Sequence, residues 1–150
     1  MLNVLKSDKV PPHLLKEFLS DQDRDIKHEA WNYVLTHLNG LGKEFISDLL
    51  RFPDTGSRYR VWNSVPEFLE NGVISKEEVV NSKKYFLEML KDENKVVRSL
   101  TWYVTLPLLL GKIINLEEVL EYLPYLCDLL NSDFRDNVLE VLEELKLKCE

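Results

Sequence analysis

Apolar residues recur along this chain at the three- and four-residue steps of helices with one face on a core. No stretch alternates with period two over several residues. A first helix opens at Pro11-Pro12, where proline suits a first turn, and carries Leu14, Leu15, Phe18 and Leu19 on one side. Asp21-Gln22-Asp23 supplies capping carboxylates for a second, from about Arg24 to Leu38, which Asn39-Gly40 should close. A third runs from Gly42 to about Phe52. After the turn Pro53-Asp54-Thr55-Gly56 a fourth runs to Glu70, closed by Asn71-Gly72. Pro66, Pro107 and Pro124 fall inside expected helices and should kink them.

A short motif recurs four times on this pattern, and three copies end in the chain's three tryptophans. The copies are Ile26-Lys27-His28-Glu29-Ala30-Trp31, Ser57-Arg58-Tyr59-Arg60-Val61-Trp62, Val97-Arg98-Ser99-Leu100-Thr101-Trp102 and Phe134-Arg135-Asp136-Asn137-Val138-Leu139. The basic residue advances by 31, 40 and 37 positions. The second half repeats more plainly, because Ile74-Ser75-Lys76-Glu77-Glu78-Val79-Val80 aligns with Ile114-Asn115-Leu116-Glu117-Glu118-Val119-Leu120. The match continues through Tyr85/Tyr125, Phe86/Leu126, Glu88/Asp128, Met89/Leu129 and Leu90/Leu130. Ser75 with Glu78 and Asn115 with Glu118 have the capping-box layout. Periods of this length belong to stacked helix pairs, in which no unit buries its apolar face alone. The expected units span about 11–40, 42–72, 75–112 and 115–149.

With these motifs the chain resembles the HEAT-repeat family of α-solenoids, whose loose consensus is an apolar helix, a turn with Asp, and a second helix opening Val-Arg-x-x-Ala. The best fits are Phe18-Leu19-Ser20-Asp21 leading to Ile26-Lys27-His28-Glu29-Ala30, and Met89-Leu90-Lys91-Asp92 leading to Val97-Arg98-Ser99-Leu100-Thr101. The resemblance implies an all-α fold, an α–α superhelix of four HEAT-like repeats. It also implies a ladder of ion pairs from the turn Asp to the basic residue six positions on. In the second and fourth units Phe52 and Leu129 stand where that Asp belongs, with Asp54 and Asp133 nearby, which interrupts the ladder. Family members are mostly scaffolds and protein-binding surfaces, and a minority act on DNA or on cofactors.

Composition adds bounds. The 150 residues are 45% hydrophobic and 30% charged, as in a folded single domain. The net charge of −7 is uneven: residues 1–112 carry 16 basic and 16 acidic residues, residues 113–150 carry 3 and 10. An acidic block at one end of an array solubilises its outer face or meets a basic partner. An acidic chain repels phosphate backbones, which disfavours nucleic acid. Cys127 and Cys149 make no disulfide framework and no metal spacing. Cys127 reads as a core thiol, Cys149 as an exposed bystander, and a reducing, cytoplasmic setting follows. The opening residues lack a signal-peptide layout, and the apolar run from Leu100 to Leu110 is too short to span a bilayer.

Candidate chemistry is thin. His13, His28 and His37 have no metal spacing, and there is no phosphate loop or dinucleotide fingerprint. No catalytic residue, metal site or cofactor is expected. The tryptophans flank the apolar stripes Ala30-Val34-Leu38 and Val61-Val65-Leu69, so they either pack between repeats or line the inner curve as an aromatic row. The stretch Arg51 to Trp62 is the most basic and aromatic. There Arg58 is either the repeat's structural arginine or, with Arg60, an anchor for an acidic peptide or a base. The expected function is a non-enzymatic protein-interaction or scaffold module using the inner surface. Its candidate contacts are Arg58, Tyr59, Arg60, Trp62 and Tyr103, with Trp31 and Trp102 behind them. The alternatives are a base-excision enzyme of the HEAT-like alkyl-base glycosylase type and a structural homo-oligomer whose acidic fourth unit docks on its twin.

Overall fold

The computed structural model describes residues 9–149. Among these the chain is all-helical: α1 (Pro12–Leu19), α2 (Arg24–Thr36), α3 (Leu38–Leu49), α4 (Thr55–Asn63), α5 (Val65–Glu70), α6 (Lys76–Asn81), α7 (Lys83–Met89), α8 (Lys95–Leu110), α9 (Leu116–Leu120), α10 (Leu123–Cys127), a 3-10 turn (Asp128–Asn131) and α11 (Arg135–Leu145). No strand occurs among the described residues, and no helix there is long and apolar enough to cross a membrane.

Local chemistry accounts for the element ends. Asp23, Asp54 and Asn94 cap α2, α4 and α8 by accepting from backbone N–H groups of the first turn. Ser75 and Asn115 cap α6 and α9, with Glu118 completing the reciprocal box at the second site. Helix α5 ends as expected at Asn71-Gly72: Gly72 takes φ 70°, and the Val73 N–H bonds back to the Phe68 carbonyl at 2.9 Å. The same closure follows α8, but with Lys112 in the left-handed position at φ 59° and Ile113 N–H on the Leu108 carbonyl.

Several boundaries differ from expectation. Helix α2 stops at Thr36, because the Thr36 hydroxyl and the His37 ring nitrogen both engage the Tyr33 carbonyl and the His37 ring stacks on Tyr33 at 3.8 Å. Gly42, at φ 85°, takes the left-handed conformation in place of Gly40, and it breaks the helical backbone within the α3 range. The expected fourth helix is two helices. Pro66 has no N–H to continue α4, so the chain tightens through Ser64 N–H to the Val61 carbonyl and restarts with Pro66 in the first turn of α5. Pro124 likewise opens α10, and only Pro107 stays inside a helix.

Helices α2, α4, α8 and α11 form one row, each packed on the next. The others flank it: α1 lies on α2, α3 on α2 and α4, α7 on α4 and α8, and α10 on α8. The core runs the length of this seam, with Leu15, Val34, Ile46, Leu50, Val65, Phe86, Leu90, Val119 and Leu129 fully removed from solvent. Burying each such side chain contributes roughly 1.5–3 kcal/mol.

Candidate functional site

The residues singled out from the repeated motif occupy very different places. Trp62 and Trp102 are wholly buried, and Trp31 is buried. The Trp62 indole N–H donates to the Leu50 carbonyl at 2.9 Å, and that of Trp102 to the Leu90 carbonyl at 3.0 Å. Those leucines end α3 and α7, where carbonyls have no partner inside the helix. Leu19, at the end of α1, receives the Ser57 hydroxyl at 2.6 Å, and Leu130 receives Arg135 at 3.1 Å. Trp62 also lies against Phe86 of α7, with ring centroids 5.3 Å apart. The two tryptophans with these bonds hold helix ends and present no surface.

Arg58 is also buried, and every hydrogen bond it makes recurs at Arg98 forty residues on. Arg58 Nε donates to the Phe52 carbonyl at 2.7 Å, and Arg98 Nε to the Asp92 carbonyl at 2.8 Å. Arg58 Nη1 donates to the Tyr85 carbonyl at 2.9 Å and the Glu88 carboxylate at 3.1 Å. Arg98 Nη1 reaches the Tyr125 carbonyl at 3.2 Å and the Asp128 carboxylate at 3.3 Å. Each arginine therefore joins the turn before its own helix to the next flanking helix along. Lys27 makes the shorter version of this joint, an ion pair to Asp54 at 2.7 Å.

This corrects the expected Asp–Arg ladder. The residue six before each arginine acts through its backbone carbonyl, so Phe52 serves as well as Asp92. The Asp92 carboxylate instead accepts from the Asn94 N–H in its own turn. The residues missed at the other end of the joint, Glu88 and Asp128 with Tyr85 and Tyr125, were visible as matched pairs in the 40-residue alignment. Their meaning was not, because two of the acceptors are main-chain atoms.

Tyr59, Arg60 and Tyr103 remain, all half-buried. Burial raises the Tyr59 phenol above its ordinary pKa. The Tyr103 pKa is pushed up to about 12, first by desolvation and then by the hydrogen bond and charge of Glu140. Its hydroxyl donates to Glu140 at 2.7 Å and to Asn137 at 3.2 Å, both on α11. Leu100, one turn before Tyr103 on α8, is partly exposed, and Arg60 holds the corresponding position on α4. Arg60 Nη1 is buried with no hydrogen-bond partner among the described residues. These positions share the face of the row helices that carries Tyr103 and Glu140.

A second surface was not foreseen. Leu106, Leu109, Leu110, Leu116 and Leu145, with Glu144, line a cleft of about 330 Å³ where α8 and α11 end and α9 begins. Leu110 there is 86% exposed. The apolar run from Leu100 to Leu110 ends here, with Leu108 buried and Leu110 projecting beyond the seam.

The cysteines also correct the sequence reading. Cys127 and Cys149 form a disulfide, with Cα atoms 5.7 Å apart, which ties the segment after α11 back to α10. They are neither a core thiol nor a bystander, and cysteine usage no longer argues for a reducing compartment. Among the described residues no group of three or more His, Cys, Asp or Glu side chains could hold a metal ion. No protein-family profile matches the chain, and no curated protein or solved structure matches it.

Proposed function

We propose that this chain is a short HEAT-like superhelix of four repeats acting as a non-enzymatic protein-interaction or scaffold module. In this reading the row α2, α4, α8 and α11 is the set of second helices, and the partner lies on the inner surface they form. The observation that carries it is Arg60. Arg58 is accounted for by its counterpart Arg98, whereas the counterpart of Arg60 is Leu100, so stacking of repeats does not call for a cation there. Arg60 nevertheless keeps one nitrogen buried and unbonded. A buried donor without an acceptor costs about 1–3 kcal/mol, so the half-buried side chain gains by swinging out to meet a partner's carboxylate or carbonyl. Tyr59 precedes Arg60 on α4, and Tyr103 stands one turn after Leu100, its counterpart on α8; both are half-buried aromatics of the kind that anchors interfaces.

The base-excision alternative needs tryptophan and arginine on an open face, and Trp62, Trp102 and Arg58 are committed to helix ends and joints. A cytoplasmic setting rests on composition alone, since the paired cysteines also suit an oxidising one. The test is affinity capture with immobilised wild-type chain, the Arg60→Glu variant and a Lys84→Glu control on an exposed position. A protein retained by wild type and control but lost with Arg60→Glu supports the reading. Equal retention by all three places the interface elsewhere.

A further inference from the structure

The joint built by Arg58 and Arg98 has a fixed receiving side. In α7 the receiving residues are Tyr85, Phe86 and Glu88, and across α10 and the 3-10 turn they are Tyr125, Leu126 and Asp128. The pattern is a carbonyl, a buried apolar side chain against the preceding row helix, and a carboxylate three residues after the carbonyl. The carboxylate stands two residues before Leu90 or Leu130, the leucine whose carbonyl is capped.

The last row helix, α11, carries the giving side of this joint with nothing on it. Arg135 does not repeat the Nε bond to the carbonyl six residues back; its Nη1 donates to the Leu130 carbonyl, the place that the tryptophan N–H takes at Leu50 and Leu90, and its side chain is exposed. Leu139, at the position of the buried Trp62 and Trp102, is 45% exposed. The segment tied down by the disulfide does not cover either residue.

At the other end of the row, α1 carries the receiving pattern. Leu14, Leu15 and Glu17 stand relative to Leu19 as Tyr85, Phe86 and Glu88 stand to Leu90. Leu15 is already fully buried within its own chain, where α1 lies on α2, and Glu17 is exposed. Of the internal joints, the two made by arginine follow the carbonyl-plus-carboxylate pattern, while Lys27, with a single ammonium and no fork, takes Asp54 alone. The unoccupied terminal position is an arginine.

We infer that the end of one copy stacks on the beginning of a second copy, with Arg135 donating to the Leu14 carbonyl and the Glu17 carboxylate of the next chain and Leu139 packing beside its α1. The contact continues the internal joint across two molecules. It joins different patches head to tail, so the product is an open-ended row rather than a closed dimer. This face is separate from the one around Arg60, and the two readings stand or fall independently.

The test is sedimentation velocity of the full chain, with its disulfide intact, at physiological ionic strength over a hundredfold concentration range. Wild type should show a mean mass that climbs with concentration past that of a dimer. Arg135→Glu alone and Glu17→Arg alone should each remain monomeric with unchanged helicity, because each puts like charges in the joint. Mixing the two variants, or combining both changes in one chain, restores opposite charges and should restore association. A wild-type chain that stays monomeric throughout overturns the inference. So does association that survives both single reversals, which would place the contact on another surface.

Discussion

Replacing Arg58 by Met keeps most of the apolar stem and removes the guanidinium. The loss is unequal among its bonds. The Glu88 side chain is 53% exposed, so water takes over when the arginine goes, and an exposed pair of this kind is worth at most about 1 kcal/mol. The Phe52 and Tyr85 carbonyls lose a charged donor inside the seam, at roughly 1–3 kcal/mol for each group left unsatisfied. The expected destabilisation of Arg58→Met is therefore about 3 kcal/mol, with a similar value for Arg98→Met. Arg135→Met, which removes one exposed bond, should cost below about 0.5 kcal/mol in the monomer. Urea unfolding followed by circular dichroism at 222 nm measures all three, and for 150 residues the larger losses correspond to a Tm lower by about 6–12 °C. Glu88→Gln is the discriminating control, with an expected loss of about 1 kcal/mol or less. If Glu88→Gln costs as much as Arg58→Met, the ion pair and not the carbonyls holds the joint, and the account given for Phe52 is wrong.

Three further outcomes are expected. Cys149→Ser, or reduction with dithiothreitol, opens a link between residues 22 apart and should lower stability by roughly 3 kcal/mol; an unchanged melt on reduction would mean that the bond does not form in solution. Lys112→Gly relieves a left-handed backbone at φ 59° and should raise stability by about 0.5–1 kcal/mol, whereas Gly72→Ala, which imposes that strain, should lower it by about 1 kcal/mol. Because the folded Tyr103 pKa of about 12 lies above the ordinary value of 10, its contribution is complete below pH 10 and is lost as pH rises toward 12. Absorbance titration at 295 nm should show a phenol ionising near pH 12 that disappears in Tyr103→Phe, and an identical curve for the variant would contradict the Glu140 bond.

Much of the local structure was legible because its causes are local. A capping side chain acts within three residues, and Ser75, Asn115 and Asp23 mark helix starts where the sequence places them. The errors were also local but competitive. Asn39-Gly40 looked like a helix end, and His37 with Thr36 ended the helix first by taking the Tyr33 carbonyl. Pro66 looked like a kink and became a restart, since a proline tolerated in a first turn is an alternative to one bending a long helix.

The candidate site was less legible. Trp31, Trp62, Trp102 and Arg58 drew notice by repeating, and the repetition of Trp62 with Trp102 and of Arg58 with Arg98 reflects how one helix pair joins the next. Arg60 is the informative cation because it does not repeat.

By itself the sequence determined that the chain is helical, where several helices begin, and that a forty-residue pattern recurs with Arg98 after Arg58 and Trp102 after Trp62. Each of these depends on side-chain identity and spacing along a few turns. Only the tertiary structure decided what the recurring arginines hold. Their chief acceptors are the carbonyls of Phe52, Asp92, Tyr85 and Tyr125, and a main-chain oxygen is the same atom in every residue, so no letter marks it. For the same reason Phe52 in place of Asp, which read as a break in the ladder, leaves the joint intact. The pairing of Cys127 with Cys149 is also a tertiary outcome, because two cysteines 22 residues apart bond only where the fold returns the chain to within reach.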